Sequence, residues 1–385
     1  RVDGRDLRVR VIGEGGNLGV SQLGRIEAAQ NGVSVNTDAI DNSAGVDSSD
    51  HEVNIKILLA DVVRDGGLTM DERNELLASM TDEVAHKVLR HNTDQNTLLG
   101  NARVQGPQML HVHRRLIADL ESDGFLDREL EFLPDEAEID RRLEAGEGLT
   151  SPEFSVLLAY SKLRLKNEVG ASELVDDPWL VRELLGYFPE ALREPYATTM
   201  ENHPLRREII TNSLVNGLVN RGGITFVHRA VEETGARAEE IVKAFVVARE
   251  VFDAQSFIDE VEALDNVVPT QVQTRLYLEL RRLMDRAVRW FLANRAGRLD
   301  VTGEIERFAE GVPRLDLRGR AGRAELAELM RTSDTLVLPS VVEGFGLVLG
   351  EALARLGEVE DDAGLLEEAV AADLPSARSR RGPRR

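Results

Sequence analysis

The chain has 385 residues, a formal net charge of −21 and a pI near 4.9, a balance that argues against general nucleic-acid binding, which relies on clustered Lys and Arg neutralising phosphate. It contains no cysteine, so disulfides, thiolate zinc sites and cysteine nucleophiles are excluded. No apolar run approaches the roughly 18 residues of a membrane-spanning helix, and with aromatics at 4% the cores must rest on Leu, Val, Ile and Ala, as packed helices do.

The mostly apolar run Val9 to Ile12 ends in a turn containing Gly13, Gly15 and Gly16, and a helix-like segment follows. A β-branched run, Val33 to Val35, then ends in Asn36-Thr37-Asp38. The small polar loop Asp41 to Val46 leads into a helix expected near Ser48 or Ser49. Two strand ends that open into small-residue loops, each feeding a helix, predict a partial Rossmann-like α/β piece with a ligand crevice. Glycines at such a turn let backbone approach a ligand where a Cβ would clash. The spacing of Gly13, Gly15 and Gly19 alone reads first as a tight turn and only second as a cofactor loop. Ser48 or Ser49 either caps the helix beginning near Asp50 or directs its hydroxyl at a bound carboxylate.

From there the pattern is helical. Val53, Ile57, Leu58 and Val62 form one face of a helix over 50–63, which Gly66-Gly67 ends. Thr69 and Glu72 have the form of a capping box. A boundary is expected here, between a piece spanning 1–66 and a helical domain spanning 67–315. The stretch 76–122 is amphipathic but broken at Gly100 and Gly106-Pro107. His111 and His113, two apart, would diverge on a helix and lack an acidic companion, so they read as structural or surface residues rather than a metal site. The charged run 126–147 reads as a solvated face. Thr150-Ser151-Pro152-Glu153 starts another helix. Helical segments follow after His203, over 232–252 and over 271–292. Asn212, Asn216 and Asn220 recur every four residues and predict a hydrogen-bonded stripe against a neighbouring helix.

Glu14-Gly15-Gly16-Asn17, Asn42-Ser43-Ala44-Gly45-Val46 and Ser49 together resemble the nicotinamide-facing loops of glutamate dehydrogenases. The run from Val35 to Glu52 is similar to the very large NAD-dependent glutamate dehydrogenases of bacteria. The resemblance extends to about Leu315. It implies an NAD cofactor held by Asn17 and Asn42 beside Gly15 and Gly16, with the pyrophosphate loop further upstream. It implies Ser49 on the distal carboxylate of L-glutamate, which the intact enzyme deaminates to 2-oxoglutarate and ammonia. The family's catalytic lysine and acid–base aspartate precede this stretch. None of Lys56, Lys87, Lys162, Lys166 and Lys243 has a matching context, so a C-terminal piece, inactive alone, is expected. A homo-oligomeric intact enzyme, a cytoplasmic location, no metal, and no nucleic-acid or membrane partner complete the expectation.

Beyond Asp316 the segment 316–357 resembles the nucleotide-sugar motif of retaining glycosyltransferases, with Glu343 and Glu351 eight apart, and predicts a short βα unit. Residues 358–385, acidic then basic, read as a disordered tail. Two rivals to the dehydrogenase follow: a glycosyltransferase using Glu343 and Glu351, and a non-catalytic helical assembly module.

Overall fold

The structure, a computed structural model, describes residues 2–16, 19–295, 297 and 299–309. The two β-branched runs meet in a single parallel bridge, Val11 to Ser34. Ile12 N–H donates to the Ser34 carbonyl and Ser34 N–H to that of Arg10, both at 2.9 Å. Among the described residues no strand forms, which corrects the α/β expectation: the fold is mostly helical. The reason is pairing and cover. Val9 and Val11 are exposed, so of the first run only Ile12 packs on the small cluster that Val33 and Val35 form with Ala28. Two extended segments without a third cannot make a stable sheet. The expected βα unit over 316–357 lies outside the described residues.

Ser21 caps α1 (Gln22–Gln30), its hydroxyl accepting from Gly24 N–H. The short α2 (Asp38–Asp41) runs into α3 (Ser43–Arg64), which starts seven residues before the expected Asp50, with Asn42 rather than a serine at its N-cap position. Gly66, at φ 78°, carries the turn to α4 (Met70–Ser79). The capping box there forms as expected: Thr69 N–H donates to Glu72 at 2.8 Å and Glu72 N–H to Thr69 Oγ1 at 3.3 Å.

The longest element is α5 (Thr81–Ser122), unbroken through Gly106-Pro107. Packing overrides the expected break. Gly106 is the point where the loop before α7 crosses: a Cβ built on Gly148 would lie 2.7 Å from the Gly106 carbonyl carbon. Asp135 caps α6 (Glu136–Ala145), and Arg142 within it is buried against Glu153 at 2.8 and 2.9 Å. One residue of the supposedly solvated run is thus a core clamp. Glu153 also closes the capping box of α7 (Ser151–Gly170), accepting from Thr150 N–H at 2.6 Å.

Short helices α8 (Val181–Tyr187), α9 (Glu190–Arg193) and α10 (Ala197–Glu201) lead to α11 (Arg206–Gly222). Glycines at positive φ, Gly223 and Gly235, then separate α12 (Phe226–Thr234) and α13 (Ala238–Val251) from what precedes each. The chain continues through α14 (Ala254–Glu262), α15 (Thr270–Arg295) and α16 (Val301–Ala309). The centre of the unit spanning Arg1–Phe308 is α11, which packs on α5, α7, α8, α13 and α15. Ile210, Leu214, Val215 and Leu218 of α11 are buried, as are Phe154, Leu157 and Leu158 of α7. No helix among the described residues is long and apolar enough to cross a membrane.

Candidate functional site

The two loop tips read from the sequence lie together. Glu14 N–H donates to Asp41 Oδ2 at 3.0 Å, and the Glu14 carboxylate accepts from Val20 N–H at 3.0 Å, closing the glycine turn. Arg25 grips the same carboxylate at 2.5 and 2.9 Å in a buried pair. The second tip is held by Asn36, which donates to Asp41 and Asn96 and accepts from Ser151 Oγ at 2.7 Å. The tips are therefore anchored on α5 and α7.

Gly15 and Gly16 are exposed, and a Cβ on either would meet nothing within 4 Å. Their backbone has open space for a ligand. Asn17 lies outside the described residues. At Gly45 a Cβ would sit 2.7 Å from Asn42 Oδ1, so glycine alone allows the Asn42 side chain to lie over the first turn of α3. Asn42 lines a cleft of about 780 Å³. Ser49, seven residues on and on the same side of α3, is exposed and stands outside the cleft lining. Ser48 is engaged within the helix, its hydroxyl donating to the Ala44 carbonyl at 2.7 Å. Glu343 and Glu351 lie outside the described residues.

The cleft runs between α3, α5, α7, α8 and α11. Its carboxylates are largely committed. Glu183 accepts from Arg249 at 2.7 Å and Ser213 at 2.6 Å; burial pushes its pKa up, but Arg249 and Ser213 outweigh that and hold it below the usual value. Asp50 accepts from the Tyr187 hydroxyl at 2.9 Å, and Asn54 donates to the same hydroxyl at 2.9 Å. His51 is fully buried, stacked on Tyr187 with ring centroids 4.3 Å apart, and neither ring nitrogen has a hydrogen-bond partner among the described residues. Burial lowers its pKa despite Asp47 beside it.

Asp47, His51 and His91 bring ligand-type atoms within 4.8 Å of one another. The His91 Nδ1 to Asp47 separation is 2.7 Å, shorter than the roughly 3.3 Å between two ligands of one tetrahedral zinc. As it stands the pair is a hydrogen bond, not a metal centre.

The cations are another matter. Three of the five lysines, Lys87, Lys162 and Lys166, line this one cleft. Lys87 donates to the Gly186 carbonyl at 2.8 Å. Lys162 is buried, and no hydrogen bond or ion pair holds it among the described residues. Burial, reinforced by Lys166 and opposed by Asp94, takes its pKa down to about 7. Burial also lowers that of Lys166, against the pull of Asp50. In the sequence these two match no catalytic-lysine context; the signal for a site was a pair of lysines one turn apart in an apolar helix of a lysine-poor chain. The asparagine stripe behaves as expected in part, with Asn216 donating to Asn212 at 3.3 Å, but both face the cleft rather than a helix contact. His113 is buried edge-on against Phe154 while His111 is exposed, so the two diverge as expected.

Residues 146–345 match the family described as glutamate dehydrogenase, C-terminal, and residues 1–102 match bacterial NAD-glutamate dehydrogenase, catalytic domain. The first match runs past Leu315 and over Glu343. The chain is 43% identical over 374 residues to a protein of Halomonas elongata named NAD-specific glutamate dehydrogenase, covering 97% of this chain and 23% of the relative. Proteins of the same name from Pseudomonas aeruginosa and Mycobacterium tuberculosis are 46% and 45% identical over 83% and 90% of this chain, and 20% and 21% of their own lengths. The chain thus spans about a fifth of the curated relatives it matches.

Proposed function

The chain belongs to the glutamate dehydrogenase C-terminal family, and we propose from that premise that it forms one wall of the active site of an NAD-dependent enzyme deaminating L-glutamate to 2-oxoglutarate and ammonia. NAD supplies the hydride acceptor when bound. The residues of this chain bind and orient. Asn42, set at the N-cap of α3 by Gly45 and by the Glu14–Asp41 link, directs its amide at the nicotinamide ribose side of the cofactor. Gly15 and Gly16 offer open backbone beside it, and Asn17 is assigned to the cofactor by the family resemblance alone. Ser49, nearly two turns along α3, holds the distal carboxylate of the substrate. The intact enzyme is read as a cytoplasmic homo-oligomer.

The observation that carries this reading is the adjacency of the two loop tips, with Asn42 in the lining of a large cleft, in a chain of this family. The test is kinetic. In an enzyme of the relatives' full length carrying this sequence, Ser49→Ala raises KM for glutamate by about tenfold, the scale of one lost charge-assisted hydrogen bond, and leaves KM for NAD within about twofold. Equal effects on both constants, or none, remove Ser49 from the site.

A further inference from the structure

We propose that Lys162 and Lys166, with the side-chain amide of Asn212, form a binding site for a small carboxylate anion on the α7–α11 side of the cleft. The inference goes beyond the dehydrogenase reading and does not need it.

Charge accounting is the first support. The chain carries 68 acidic residues against 47 Lys and Arg, so a buried cation should easily find a carboxylate. Arg142 finds Glu153, and Arg221 finds Asp94 at 2.8 Å. Lys162 and Lys166 find none among the described residues; Arg281 likewise lacks one but donates to the Arg221 carbonyl at 3.0 Å, a contact neither lysine has. The acid that most favours the charged form of Lys162, Asp94, is already held by Arg90 at 3.0 Å as well as by Arg221. Glu183 is held by Arg249 and Ser213.

Geometry is the second support. Residues four apart on a helix are neighbours, so the two ammonium groups repel across one turn of α7. Holding buried Lys162 beside a second, half-buried ammonium with no direct carboxylate contact is costly; a bound anion turns that repulsion into shared attraction. Across the cleft, Asn216 donates to Asn212 Oδ1, which leaves the Asn212 amide hydrogens with no protein acceptor among the described residues. Two ammoniums and an amide are hydrogen-bond donors without acceptors of their own, facing one space.

The donor set selects a carboxylate over a phosphate. Lysine serves phosphate only as a point charge, and phosphate sites commonly add backbone nests or free guanidinium forks. Arg182, the arginine in the cleft lining, lies 4.0 Å over the Trp179 ring and reaches Glu250 at 3.7 Å. A phosphate would also bring nearly two charges close to Asp50, where a carboxylate brings one. The carboxylate has two possible sources, an amino-acid substrate or a separate organic acid.

The experiment titrates the purified chain with glutarate by calorimetry near neutral pH, without NADH. Binding is expected, with Lys162→Met and Lys166→Met each weakening it about tenfold or more, while Lys166→Arg and Lys243→Met stay within about threefold of the parent. Lys166 is only half buried, so its variants carry the test if Lys162→Met does not fold. Displacement of glutarate by L-glutamate assigns the site to an amino-acid substrate, and failure to displace assigns it to a separate acid; both uphold the carboxylate site. No glutarate binding, binding indifferent to both lysine variants, or inorganic phosphate binding at these lysines as tightly as glutarate overturns it. Because no cofactor is present, such a failure leaves the Ser49 test standing.

Discussion

At the scale of single residues, the least usual group is Lys162, whose folded pKa of about 7 lies well below its ordinary 10.5. Between those two values the unfolded chain binds the proton that the folded one has lost, so stability rises with pH across that window and falls as pH drops through about 7. The groups facing Lys162 do not reverse this. Lys166 shares its helix, Asp94 on α5 is held by two arginines, Glu183 on α8 is held by Arg249, and α11 presents the neutral Asn212 and Asn216. On α3, Asp50 is engaged by Tyr187, and His51, its pKa lowered by burial, stays neutral over that range. Replacing Lys162 by Met removes a buried charge while keeping its volume. Lys162→Met should therefore be more stable than the parent at pH 6, with the advantage shrinking by about 2 kcal/mol or more by pH 10, at roughly 1.4 kcal/mol per pKa unit. Urea unfolding at the two pH values decides it; a pH-independent difference would show that Lys162 is not a titrating buried charge.

At the scale of elements, the crossing of α5 by the loop before α7 gives a sharp contrast between two glycines. A Cβ on Gly148 would stand 2.7 to 2.9 Å from backbone atoms of Gly106 and Pro107, which cannot swing aside. On Gly106 it would meet Phe154 and Gly148 at ordinary contact distances of 3.5 to 3.7 Å. Gly148→Ala should cost about 1–3 kcal/mol by overpacking, whereas Gly106→Ala should be neutral or gain up to about 1 kcal/mol of helix propensity. Thermal melts of both variants check the pair, and equal losses would refute the crossing. The same crossing shows where the sequence was legible. The capping box at Thr69 and the helix start at Thr150-Ser151-Pro152-Glu153 were readable because they are local chemistry, as were the helical faces. Gly106-Pro107 looked like a break because nothing local reveals Gly148 beside it. The runs around Val11 and Val33 looked like strands because β-branched alternation is local, while the absence of a third strand is not. Asn42, named through the family resemblance, does line the cleft, but Lys162 and Lys166 were not legible, since an aliphatic stem at a helical position gives no sign of the cavity its end enters.

At the scale of the whole unit, the segment 1–66 and the helices after it are joined through side chains that neither half can satisfy alone. Asn36 hydrogen-bonds Ser151 on α7 and Asn96 on α5. The Gln22 amide donates to the Pro152 carbonyl at 3.3 Å. Buried His203 meets the Asn54 carbonyl through Nε2 at 3.2 Å, while its Nδ1 accepts from Leu205 N–H, which fixes a neutral ring with the proton on Nε2. Ile55, Leu58, Leu59 and Val62 are buried on α3, whose neighbours include α5 and α10. Opening α3 alone would strand those donors and acceptors out of register and expose that apolar face, at about 1–3 kcal/mol for each unmade buried bond. The cheaper route is to open everything together. Native-state hydrogen exchange should therefore give amides of Ile55 to Val62 the same opening free energy, and the same urea dependence, as amides of Ile210 to Leu218 in α11. Exchange of α3 through a separate, lower-energy opening would mean that 1–66 is an independent lobe, and that the cleft between α3 and α7 is one that opens and closes.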